Sequence, residues 1–119
     1  DESLTVFDKL LGRSTYKTEK VASQGVKTHF YKVGESKIEL LEATSEKSPI
    51  SNFISKKGEG MHHLALYVDN IYTELERLNS LGFEAIGEVK KGADNKLICF
   101  LHPKTTSGVL IELCQEQFE

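Results

Sequence analysis

The sequence predicts an α+β fold built from two copies of one β-α-β-β-β module. Three observations carry this. A helical segment stops at Gly12 and another at Gly82. The strand-like "KIELLE" closes the first half as "LIELCQ" closes the second. The offsets, 70 residues from Gly12 to Gly82 and 73 from Glu39 to Glu112, agree within a few positions. A repeat of this length implies a duplicated structural unit. Module 1 then covers about residues 1–48 and module 2 about 60–119 of a single domain spanning 1–119. The first copy is complete only with one strand ahead of Asp1, since the chain opens inside a helix and without an initiator Met.

Each element follows from local pattern. In residues 2–11, Leu4, Phe7 and Leu11 recur at steps of three and four, which is a helix that Gly12 stops. Segments 26–33 and 37–42 are strands joined by a tight turn at Gly34-Glu35-Ser36. After the polar loop 44–48, Pro49 starts a short helix with Ile50, Phe53 and Ile54 on one side. A strand over 62–68 leads to Asp69-Asn70, a helix N-cap, and the helix runs to about Leu81. Segments 83–88, 97–101 and 109–114 are strands separated by the turn-rich "KKGADNK" and "HPKTTSG".

Composition narrows the function. Hydrophobic residues make up 39% and charged residues 28%, an ordinary globular balance with enough apolar content for a core. A net charge of −3 with no basic stripe argues against nucleic acid. No apolar run approaches the ~20 residues of a membrane helix, so no membrane partner is expected. Cys99 and Cys114 sit in apolar strands outside any CxxC pair, so they read as buried reduced thiols, with a disulfide between them as the alternative.

Strand alternation sorts the histidine doublet of "GEGMHHLALYV". His62, Leu64, Leu66 and Val68 share one face and should pack on the following helix. His63, Ala65 and Tyr67 share the other, which suits a polar site. The repeat adds one carboxylate per copy, Glu39 and Glu112, each opposite the Ile and Leu face of its strand. A charge within a strand core costs several kcal/mol unless paired or bound to metal. His63, Glu39 and Glu112 thus form a candidate ligand set for a divalent ion such as Co²⁺, Mn²⁺ or Zn²⁺. The plainer alternative is two solvated glutamates and a satisfied polar histidine. His102 and Lys104, in the loop after 97–101, are candidates for an anionic substrate, with a plain turn as the alternative.

With these residues in hand, the chain resembles the methylmalonyl-CoA epimerases of the vicinal oxygen chelate (glyoxalase/bleomycin-resistance) superfamily. The resemblance is carried by "GVKTHFYKVGESKIELLEATSEKSPISNFI", "KKGEGMHHLALYVDNI", "KKGADNK" and "FLHPKTTSGVLIELCQE", nearly the whole chain. It implies paired modules forming a curved mixed sheet around a metal, and epimerisation of an acyl-CoA at C2. It also implies a divalent cofactor, Co²⁺ ahead of Mn²⁺, Mg²⁺ and Zn²⁺, and a homodimer in a bacterial cytoplasm or mitochondrial matrix, the cytoplasm being preferred. His63 takes the place of the second-module histidine ligand, and Glu39 and Glu112 those of the last-strand ligands. A further histidine ligand would lie upstream of Asp1. The family's acid/base carboxylate, just ahead of "GV", has no counterpart in Val21–Gln24. Glu19 is the nearest carboxylate upstream and becomes the candidate partner of a catalytic Glu112. The rival readings are a glyoxalase I-like lactoylglutathione lyase, an extradiol dioxygenase, which the second glutamate disfavours, and a non-enzymatic small-molecule-binding or structural domain on the same scaffold.

Overall fold

The structure, a computed structural model, describes residues 2–117. The chain forms two compact units, one through Gly60 and the other from Met61 on.

The first unit opens with α1 (Glu2–Leu11), ended by Gly12 at φ 67°, a left-handed turn that favours glycine. Three antiparallel strands follow in the order β1 (Lys17–Val21), β2 (Val26–Val33), β3 (Ser36–Ala43). Register fixes the faces: His29 pairs with Thr18 and Leu40, while Phe30 pairs with Lys17 and Glu39. The Tyr31 face meets α1, where Phe7 packs on the Tyr31 ring at 6.4 Å. Tyr31, fully buried, donates its hydroxyl proton to Asp8 Oδ1 at 2.6 Å. Glu39 lies on the opposite face. Gly25 (φ 63°) links β1 to β2, and a Cβ there would stand 3.0 Å from Ser48 Cβ, so both conformation and space demand glycine. Ser48 then caps α2 (Pro49–Lys57), its Oγ accepting from Ile50 N–H at 3.1 Å.

The Tyr31 phenol has a pH consequence. Burial first, and then the Asp8 hydrogen bond and charge, push its pKa from 10 to about 12. The folded state therefore keeps a proton that the unfolded chain sheds above pH 10, and stability is full below pH 10 and falls between about 10 and 12. Urea titrations from pH 9 to 12 should show this alkaline loss, and Tyr31→Phe should flatten it. An unchanged slope in the variant would refute the assignment.

The second unit is β4 (Leu64–Tyr67), α3 (Ile71–Ser80), β5 (Ala85–Lys91), β6 (Lys96–Leu101) and β7 (Ile111–Glu116). The sheet order is β4-β7-β6-β5, with β4 parallel to β7 and the other pairs antiparallel. Asn70 caps α3, its Oδ1 accepting from the N–H groups of Tyr72 and Thr73 at 3.1 Å each, worth about 1 kcal/mol. Ile71, Cys99, Leu101 and Leu113 form the buried cluster, with Leu75, Leu78 and Val68 against it. That cluster occupies the helix-covered face, so Glu112 and Cys114, alternating with Leu113, stand on the other. Both cysteines are free thiols, and burial first of all pushes the Cys99 pKa up, which keeps it inert.

Three sequence expectations need correction. The strand expected over 62–68 is shorter, beginning at Leu64, so His62 and His63 lie in the lead-in and alternation does not govern their rings. The aliphatic face expected to pack on α3 is half exposed, with Leu64 at 46% and Leu66 at 48%, because β4 ends the sheet and α3 lies over β5, β6 and β7. Lys17–Val21 is a strand that the sequence reading left unassigned. No helix among the described residues is long and apolar enough to cross a membrane.

Candidate active site

Glu112 is centred in the helix-free face of the second sheet. Its cross-strand partners are Ala65 on parallel β4 and Phe100 on antiparallel β6. Ala65 leaves room on one side and Phe100 supplies an apolar wall on the other. His63, just ahead of β4, reaches this position, with Nε2 3.5 Å from Glu112 Oε1. Both side chains are mostly buried, at 16% and 14% exposed. Phe100 meets the His63 ring edge-on at 5.6 Å and 79°. Cys114, also on this face, donates its S–H to Glu112 Oε1 at 3.2 Å.

His62 completes the cluster. Its Nδ1 is 3.0 Å from His63 Nδ1, and the two rings stand perpendicular with centroids 5.2 Å apart. Burial, followed by the charge of His63, pushes the His62 pKa down, against a smaller opposing pull from Glu112. His62 was expected on the face that packs on the following helix; its ring meets that of His63 instead, because the lead-in backbone does not alternate.

The first unit carries an equivalent arrangement. Glu39 pairs across with Phe30 as Glu112 pairs with Phe100, and each glutamate lies on the face away from its helix. Glu39 is exposed. Glu19, on β1, lies on the same face as Glu39, in the row of Thr28 and Leu41. Its carboxylate is 3.5 Å from Lys17 Nζ, and both side chains are about one third exposed. His29, by contrast, belongs to the α1 face, bonded through Nε2 to Glu42 Oε1 at 3.1 Å.

His102 and Lys104 lie together on the turn after β6. His102 Nδ1 accepts the Lys104 backbone N–H at 3.2 Å, so this ring caps the turn. The Lys104 side chain is 63% exposed, and its Nζ is 3.3 Å from Glu84 Oε2.

Among the described residues no group of three or more His, Cys, Asp or Glu side chains is gathered to hold a metal ion, and His63 and Glu112 offer two donors at a compatible spacing. Two donors bound at ~2.1 Å, at tetrahedral or octahedral angles, stand about 3.0–3.4 Å apart, and the 3.5 Å separation needs little adjustment. The set is one neutral nitrogen and one carboxylate oxygen, which borderline divalent ions accept. Within this unit the pair offers two donor atoms. The Cys114 contact and the Phe100 wall were not expected as parts of the site, although alternation already put Cys114 on the Glu112 face.

Comparison with known proteins agrees with this architecture. Residues 1–100 match the family model described as the glyoxalase/bleomycin resistance protein/dioxygenase superfamily. Human mitochondrial methylmalonyl-CoA epimerase is 36% identical over 117 residues, covering 97% of this chain and 66% of its own length. An ethylmalonyl-CoA/methylmalonyl-CoA epimerase of Cereibacter sphaeroides is 37% identical over 112 residues, covering 92% of this chain and 84% of its own. The crystal structure of methylmalonyl-CoA epimerase from Mycobacterium tuberculosis superposes with a TM-score of 0.89 at 31% identity, over 99% of this chain and 81% of that one. The chain therefore belongs to the glyoxalase/bleomycin resistance protein/dioxygenase superfamily.

Proposed function

We propose that the protein is an isomerase that interconverts the two C2 epimers of methylmalonyl-CoA. The observation that carries the reading is the His63 Nε2–Glu112 Oε1 pair on the open face of the sheet, in a chain whose relatives carry that activity in their names. A divalent ion held by His63, Glu112 and Glu39, with Co²⁺ preferred, would supply Lewis acidity to the thioester oxygen.

The C2 proton lies between a thioester and a carboxylate, so its loss leaves an enolate rather than a localised carbanion. Inverting C2 requires removing the proton from one face and returning one to the other. Glu112 is the first base we assign, since its second carboxylate oxygen is available beyond the atom that faces His63. Glu19 is the partner we assign, as the carboxylate nearest in sequence to the family's base position. Phe100 stands opposite Glu112, whose side chain is mostly buried, and reduced contact with water strengthens charge interactions with the enolate. Lys104, exposed on its turn beside His102 and paired with Glu84, is the cation we assign to the phosphates of the CoA. The family resemblance supports a homodimer. Relatives include both mitochondrial and bacterial proteins, and a cytoplasmic setting is the one we assign.

Solvent deuterium uptake at C2 of methylmalonyl-CoA, followed by mass spectrometry, tests the reading. Uptake should be rapid with added Co²⁺ and fall at least tenfold after chelation. Uptake indifferent to metal would sink the metal-assisted mechanism. Absence of uptake, together with turnover of a glutathione hemithioacetal, would establish the lyase instead.

A further inference from the structure

The sequence doublet His62-His63 raises the question of what the first ring does once the second faces Glu112. Three contacts hold the His63 ring: Phe100 against it at 5.6 Å, Glu112 Oε1 at 3.5 Å from Nε2, and His62 Nδ1 at 3.0 Å from Nδ1. The last contact joins two nitrogens of the same kind. At that distance two lone pairs repel and two N–H groups collide, so one proton lies between the rings.

With both rings neutral, as ligation by His63 requires, two arrangements remain. With the proton on His62, His63 presents a bare Nδ1 to it, and the neutral His63 ring carries its own proton on Nε2. That Nε2–H then donates to Glu112 and has no lone pair for a metal. With the proton on His63 Nδ1, His62 accepts, and His63 Nε2 turns a free lone pair toward Glu112. Ligation by His63 requires the second arrangement.

We propose that His62 is a positioning residue: it accepts the Nδ1–H of His63 and so holds His63 in the tautomer whose Nε2 can bind a divalent ion. The inference rests on the reading of His63 and Glu112 as ligands. A ligating histidine usually donates its second N–H to a carboxylate, a carbonyl or water. Here the adjacent residue takes that place, which is open to it because both histidines precede β4 and their rings turn toward each other.

The test uses the whole chain, freed of metal and titrated with Co²⁺ alone, following the visible absorbance of the ion. His62→Phe keeps an aromatic ring but no acceptor, and should raise the Co²⁺ Kd about 10- to 100-fold. His62→Asn restores an acceptor oxygen and should recover part of the loss. In the Zn²⁺-loaded wild-type protein, long-range ¹H–¹⁵N spectra should show His63 protonated at Nδ1 and His62 protonated at Nε2. This measurement needs no variant. A His62 ring protonated at Nδ1 would overturn the proposal, as would a His62→Phe protein with a lowered melting temperature but unchanged Co²⁺ affinity. Wild-type protein that takes up no Co²⁺ would overturn the metal reading beneath it, a result distinct from either.

Discussion

Glu112→Gln should lower kcat/KM for methylmalonyl-CoA by about 10²–10⁴-fold, equivalent to about 3–5 kcal/mol of transition-state stabilisation. The change keeps the shape of the side chain, and its carbonyl oxygen can still accept from the Cys114 thiol. What it removes is the negative charge beside His63, on which both roles proposed for Glu112, anionic ligand and base, depend. Co²⁺ affinity should therefore fall with activity. The melting temperature should move by only a few degrees, because Glu112 lies opposite the cluster of Ile71, Cys99, Leu101 and Leu113. Glu116→Gln, on the same strand and face but half exposed and paired with Lys96 at 3.3 Å, is the control that should leave turnover intact. Equal losses in the two variants would show that general charge on this face matters, and that Glu112 has no special role.

Ile71→Ala should cost about 2–5 kcal/mol of stability, read as a shift in the urea midpoint. Ile71 has no exposed surface and is the first residue of α3, seated against β6 and β7. Its backbone N–H donates to Gln115 Oε1 at 2.7 Å, a contact the substitution retains, so the loss isolates side-chain packing. A shift below about 1 kcal/mol would mean that the cavity collapses freely and that the helix is held chiefly by its cap and by Gln115.

Much of the site was legible because it rests on period-two alternation. That rule alone put Glu112 with Cys114 and opposite Leu113, and the structure places them so. Helix ends were legible from Gly12, Gly82 and Asn70, whose backbone or side chain does a local job. The strand Lys17–Val21 was not, because "KTEKV" has no apolar face and forms by pairing with β2. The ring contact of His62 with His63 was hidden for the opposite reason. Alternation was applied to residues that precede the strand, where it has no force. The matching of Phe30 with Glu39 and of Phe100 with Glu112 depends on hairpin register, which turn geometry sets and the apolar pattern leaves open.

The parallel pairing of β4 with β7 has a consequence for how the protein is made. Leu64 finds its partner in Ile111 and Ala65 finds Glu112, near the far end of the second unit. On the ribosome, β4 emerges long before the strand it must lie beside, and a chain halted before Ile111 has His63 but no Glu112. His63 and Glu112 therefore meet only when β4 and β7 pair across the intervening helix and hairpin, a non-local closure of the kind that slows folding. The proposed pair thus exists only once synthesis has reached β7.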